Sequence, residues 1–359
     1  MYQENSVILD DMANLTETAH YARKTITFSA VGLVSIIILR ISWGIFFRWW
    51  IAANPPPPPP PTVAFGVLPS PVFPVPAKNS ISAYRLETVS GVTPDFGTQV
   101  KVFFMPSFRA NVLGAELATK MAVLMGFSQP PETTDEQIYV WSRGVALPGE
   151  LKINLITGFF SLNTAWHQDS ELVKSRALSE QDAVRYAKDF LSRLSLLPPD
   201  LETGKTRVEY LRTGAGILLP AVSQSEANFA RVHIFRSDVN SWPVVTEKQD
   251  EALAQVIVST ASSAKQIIGV EYKYSPVALD KSATYPLRTT QAAWQQLQAG
   301  EGVITQVVGG TAEAVVRNVE MAYYDSSTPQ EFFQPVYVFQ GDNGFKAYVP
   351  AIDPKWLSK

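Results

Sequence analysis

The stretch SEQDAVRYAKDFLSRLSLLPP, residues 179–199, decides the fold class. Ser179 is placed to cap a helix whose first turn carries Glu180 and Asp182. Ala183, Val184, Ala187, Phe190, Leu191 and Leu194 then recur at helical spacing until Pro198 and Pro199 stop the run. Beyond it the period changes to two. Residues 207–212, 229–236, 253–260 and 265–274 read as strands; in the last, Ile268, Val270, Tyr272 and Tyr274 alternate with Ile267, Gly269, Glu271 and Lys273. A helix followed by several strands is the pattern of one helix lying across a short antiparallel sheet.

The same order recurs on either side. Upstream, residues 111–125 put Leu113, Leu117, Met121 and Leu124 on one stripe, expected to face the core, with Gly126 as a left-handed terminator. A strand at 99–105 precedes that helix; 137–143 and 151–166 follow it, the latter broken at Gly158. Downstream, a helix opening at Thr289 or Thr290 carries Ala293, Trp294 and Leu297 and ends at Gly300. Strands are expected at 303–308, 314–324, 333–340 and 345–351, with Gly309 and Gly310 forming a tight turn. The predicted fold class is α+β, three serial modules at 80–177, 178–281 and 282–359.

The preceding 79 residues are of another kind. From Ile26 to Phe47 the chain is uncharged except for Arg40, matching the roughly 20 residues that cross about 30 Å of hydrocarbon. This predicts a transmembrane helix at 25–50 after a short tail at 1–24. Arg40 and Arg48 are placed to snorkel to the headgroups, and Trp49 and Trp50 form the interfacial belt. No small-residue cleavage site follows, which disfavours a signal peptide. Positive charges flank both ends, so orientation rests on the short N-terminus staying inside, in the cytoplasm. Of 26 prolines, 11 fall between Pro55 and Pro76, and residues 51–79 read as a polyproline stalk lifting the distal region off the membrane.

Composition excludes much chemistry. With no Cys, there is no thiol nucleophile, thiolate zinc site or Fe–S cluster. His20, His167 and His233 are too scattered for a helical metal motif. A net charge of −3 leaves no footprint for nucleic acid. His167, near Asp169, reads as a surface turn, and His233, beside Arg231, as a partly solvated strand face that could hold an anion. Gly214-Ala215-Gly216 lacks the lysine of a phosphate loop and reads as a turn.

The elements Ala293-Trp294-Gln295-Gln296-Leu297, Val319-Glu320-Met321-Ala322-Tyr323-Tyr324, Gln334-Pro335-Val336-Tyr337-Val338-Phe339 and Phe345-Lys346-Ala347-Tyr348-Val349-Pro350-Ala351 resemble the C-terminal portion of YycI/YycH-type regulatory proteins. Those are single-pass bacterial envelope proteins with PepSY-like modules, and the alanine spacing from Ser179 to Ala187 is similar to the start of a PepSY helix. The resemblance implies serial PepSY-like modules and an extracytoplasmic regulator of a membrane partner, a sensor kinase in that family, with no catalytic residues. Tyr323, Tyr324, Tyr337 and Tyr348 put aromatics on successive strands. They are candidate partner-binding residues if the sheet is a platform, and core if it is not. Pro335 suits an edge or a strand's first residue, and Asp342-Asn343-Gly344 a hairpin turn. The expectation is a non-catalytic protein without metal or cofactor, anchored in the cell membrane. Its α+β region, outside the cell, binds or regulates an envelope protein such as a sensor kinase or secretion component. The alternatives are a structural part of an envelope or secretion assembly, with self-association into a homo-oligomer, and a carboxylate-dependent hydrolase.

Overall fold

The computed structural model describes residues 5–54, 59–73, 81–106, 112–135, 137–144, 147–248, 250–261, 265–306 and 312–358. They divide into two units, Met1–Pro60 and Pro61–Lys359. The first is a single helix, α1 (Asn5–Ala53), in which Glu17–Ala53 is long and apolar enough to span a membrane and none of its most apolar window is buried. At 1.5 Å per residue its 49 residues reach about 70 Å, so the helix begins well before the predicted span. Arg40, Arg48, Trp49 and Trp50 are all exposed on its last third, and the Phe46 ring meets those of Trp49 and Trp50 at 6.0 and 6.1 Å.

In the second unit the chain forms β1 (Leu68–Pro69), β2 (Ala83–Leu86), β3 (Gln99–Phe104), α2 (Val112–Leu124), β4 (Glu132–Asp135), β5 (Ile138–Arg143), β6 (Gly149–Asn154) and β7 (Phe160–Thr164). Then come α3 (Ser170–Val173), α4 (Glu180–Arg193), α5 (Pro199–Glu202), β8 (Thr206–Gly214), β9 (Ile217–Pro220), β10 (Phe229–Ile234), β11 (Val244–Val245), β12 (Ala254–Val258), β13 (Ile267–Tyr272) and β14 (Ala278–Pro286). It closes with α6 (Thr290–Gln298), β15 (Val303–Gln306), β16 (Glu313–Tyr324), β17 (Phe332–Gly341), β18 (Lys346–Pro350) and β19 (Leu357–Ser358). This is a mixed α+β fold. The predicted cap is met, the Ser179 hydroxyl accepting the Asp182 N–H at 3.2 Å; the helix expected to open at Thr289 or Thr290 starts at Thr290, and the Thr289 hydroxyl accepts the Ala292 N–H at 3.2 Å. The turn expected at Gly309 and Gly310 lies outside the described residues.

The sheets do not follow the three predicted spans. A nine-stranded antiparallel sheet has the order β4-β5-β6-β7-β13-β12-β10-β8-β9. It is built from two helix-plus-sheet halves, α2 with β4–β7 and α4 with β8–β10, β12 and β13, zipped together through their last strands, where Leu162 faces Val270 and Phe160 faces Tyr272. Ala118 and Ala122 of α2 share one core with Ala183, Ala187 and Phe190 of α4, so both helices cover the same face. Spans 80–177 and 178–281 therefore share one sheet. The second sheet runs β11-β16-β17-β18-β15, with β2 parallel to β16 and β3 beside β17 and β14. Residues 81–104 thus complete the sheet of the last span. Loop-bridged neighbours could be read from periodicity, but pairings across 200 residues could not.

Two local expectations are also corrected. Pro335 sits inside β17, not at an edge: β3 is its neighbour up to Phe333 and β18 takes over from Val336, so the missing N–H falls at the changeover. The stalk is shorter than 51–79, because residues 62–73 lie as a strap on the folded unit. β1 runs parallel to β19, Leu68 is fully buried, and the Tyr285 hydroxyl donates to Gly66 O at 2.9 Å. Gln334 Nε2 donates to Pro69 O at 2.7 Å, and the Phe73 ring lies 4.8 Å from that of Tyr324. Extended proline-rich backbone makes no bonds of its own, so its carbonyls are free to accept.

Candidate functional site: an apolar groove with unpaired arginines

Helix α2 reads VLGAELATKMAVL and is apolar on more than one side. Its smaller side is the one that packs. Ala118, Ala122 and the following Met125 are buried among Trp141, Leu151 and Leu162, where alanine lets the helix backbone approach the sheet closely. The stripe expected to face the core is split: Met121 packs against the core, whereas Leu117 is 62% and Leu124 69% exposed, with Val123 beside them. The Leu113 side chain lies outside the described residues. Fully burying a leucine is worth about 1.5–3 kcal/mol. Leu124, at the end of this exposed row, also lines a cleft.

That cleft measures about 670 Å³ and opens where α2 and α4 end over the seam of the nine-stranded sheet. Leu124 and Met125 form one wall and Phe190 and Leu194 the other, with Leu162 and Ile267 as the floor. Ile267 belongs to this face because a register shift in β12–β13, between Ile257 and Val258, reverses the alternation there.

Ser128, Gln129 and Ser142 add neutral polar groups to the lining, and among the described residues two guanidinium groups enter it and no carboxylate does. Arg143, at the end of β5, is fixed from three sides. Its Nε donates to Leu147 O at 3.0 Å, its Nη1 to Met125 O at 2.9 Å, and its guanidinium lies 4.9 Å from the Phe127 ring centroid. The Met125 contact caps α2, whose carbonyl end carries partial negative charge. Gly126, at φ +85°, makes room: a Cβ there would meet Arg143 Nη1 at 3.0 Å. Burial pushes Arg143 below its ordinary value. Arg193 ends α4 and is exposed. Among the described residues, neither arginine forms a salt bridge.

The four candidate tyrosines are placed elsewhere. Tyr323, Tyr324, Tyr337 and Tyr348 are all buried, because both faces of their sheet are covered and every residue from Phe332 to Phe339 is buried. Tyr323 donates to Lys101 O, Tyr337 to Arg288 O and Tyr348 to Thr246 O, at 2.8, 2.6 and 2.9 Å. Tyr324 packs between Phe73 and Tyr348. Burial pushes all four hydroxyls up, that of Tyr337 to about 12. They are core, not a platform.

His233 is likewise inside rather than on a partly solvated face. Its Nδ1 accepts the Ala252 N–H at 3.3 Å, while Nε2 lies 3.5 Å from Glu209 and 3.3 Å from Arg207. Burial, reinforced by Arg207 and opposed by Glu209, pushes it below its ordinary value, so the imidazole is neutral near pH 7. His167 is exposed, and Asp169 turns away from it to cap α3 and pair with Lys265 at 2.6 Å. Gly214–Gly216 is the β8–β9 turn, with Ala215 and Gly216 at positive φ. Among the described residues, no three His, Asp or Glu side chains gather as a metal site.

Sequence reasoning missed Arg236. Buried at the junction of the two sheets, it bonds Asp325 Oδ2 through Nε at 3.1 Å, Asp200 Oδ2 through Nη1 at 2.5 Å and Ser275 O through Nη2 at 2.7 Å. Its partners are 36 to 89 residues away, and no motif marks them.

No protein-family model and no curated protein matches the chain. Among solved structures, an uncharacterized protein from Eubacterium rectale is 12% identical, with 70% of this chain and 82% of that one aligned at a TM-score of 0.32. A likeness at that level assigns no function.

Proposed function

We propose that the chain is a membrane-tethered, non-catalytic binding protein of the cell envelope, whose groove between α2 and α4 engages a protein partner. α1 supplies the single span, with the N-terminus in the cytoplasm and the Pro61–Lys359 unit outside. The observation that carries the reading is the exposed leucine row of α2 running into a cleft that holds two unpaired arginines. A second support is the helix laid on antiparallel strands, occurring twice in the large sheet, which is the arrangement a PepSY-like regulator would use. The partner is then a membrane protein of the same envelope, of the sensor-kinase or secretion class.

A photo-cross-linker placed at Leu124 in intact membranes tests this. One dominant protein adduct is expected. It should disappear with Leu117→Glu and be absent from a cross-linker at Leu279, an exposed site on β14. Adducts of equal yield from both positions, or none from Leu124, would overturn the reading. Protease added to intact cells checks the orientation, since cleavage within the distal unit is expected only if that unit lies outside.

A further inference from the structure

We propose that the occupant of the groove is an amphipathic helical segment of the partner bearing a carboxylate that pairs with Arg143 and Arg193. This rests on the reading of the groove as the partner-binding surface.

Shape selects the helix. Leu117 and Leu124 are seven residues apart on α2, about 10.5 Å along its axis, so the apolar row is two helical turns long. A row of that length and period is matched by a second helix presenting anchors at i, i+3 or i+4 and i+7. Phe190, Leu194 and Ile267 supply the cleft into which one such anchor descends. A single acyl chain would fill the cleft and leave Leu117 in water.

Charge selects the carboxylate. The cleft holds two full positive charges, set against the carbonyl ends of α2 and α4, each worth roughly half a negative charge. About one net positive charge is left in a lining that, among the described residues, is mainly apolar, carries the neutral polar Ser128, Gln129 and Ser142, and contains no acid. Arg143 is already immobilised by Met125 O, Leu147 O and the Phe127 ring, so a carboxylate arriving there meets a preset guanidinium and little rotamer entropy is lost. Arg193 is exposed and lines the cleft from the end of α4.

The test uses the full chain in lipid nanodiscs and two synthetic amphipathic peptides with the same leucine face. One is flanked by glutamates and the other by lysines; fluorescence anisotropy reads binding. The glutamate peptide is expected to bind roughly tenfold tighter. Arg193→Gln, a surface change that leaves the fold intact, should remove most of that preference, and Arg143→Gln should do the same where circular dichroism shows a native fold. Equal binding of the two peptides, abolished by Leu124→Glu, would overturn the carboxylate and leave the groove reading standing. Failure of both peptides overturns the helical occupant, whereas failure of the Leu124 cross-link overturns the groove itself. Displacement of a cleft-bound dye by oleate but by neither peptide would assign the cleft to a lipid and also overturn the proposal.

Discussion

Arg236 shows what a single residue does in this molecule. Burial alone would lower its pKa, but Asp325, the Tyr274 hydroxyl and Asp200 outweigh that and raise it, so it stays charged. Its guanidinium also lies 4.4 Å from the Tyr274 ring centroid. Asp325 is wholly enclosed, with burial pushing it up against the pull of Arg236. Removing one partner of such a pair leaves a stranded charge. Arg236→Met should therefore cost about 3–5 kcal/mol in urea unfolding, and adding Asp325→Leu should recover much of it. If Arg236→Met alone is neutral, the two sheets are not held together here. His233 gives a pH signature. Its folded-state pKa is depressed, so its stabilisation is present above the unfolded value of 6.5 and is lost as pH falls through the folded value. The unfolding free energy from urea titration should drop on acidification below about pH 6.5 by no more than about 1.4 kcal/mol per pH unit from this group. His233→Asn should flatten that part of the profile, and an unchanged slope would remove His233 from the account. At this scale the cap at Ser179 was legible, since it bonds a backbone N–H three residues on. His233 was not, because the segment at Ala252 that covers it comes from elsewhere in the chain.

Among the elements, α2 is the one where periodicity was correct about the helix and only in part about its face. A helix with leucines on one side and alanines on the other can pack either way, and the larger residues are the natural choice for a core. The sheet beneath decided otherwise: Ala118 and Ala122 are the residues that join Trp141, Leu151 and Leu162 in the core. Leu117→Glu and Leu124→Glu should accordingly shift stability by no more than about 0.5 kcal/mol. Ala122→Leu should cost about 1–3 kcal/mol by overpacking. Thermal unfolding of the three variants checks the order, and a large loss in either leucine variant would show the row to be core after all. The strap is the other reversal. Prolines at 69 and 71 read as spacer, yet Phe65, Leu68 and Phe73 between and beside them are apolar anchors, and Leu68→Ala should cost about 2–5 kcal/mol in the same assay.

Across the whole molecule, the α+β class and nearly every long strand were visible in the sequence, because each depends on residues within about ten positions. The partition was not. Two halves joined at β7 and β13, and a second sheet completed by β2 and β3, make Pro61–Lys359 one compact unit instead of three beads. Calorimetry of the chain should show this unit melting in a single transition, and three resolved transitions would restore the serial reading. The parallel pairing of β1 with β19 carries a further consequence, for synthesis. The strap leaves the ribosome first among the parts of this unit, yet Ser70 bonds Ser358, 288 residues later. Its site cannot exist until almost the whole unit has been made, so this segment must wait undocked while the rest of the chain is translated, and its docking comes late in folding.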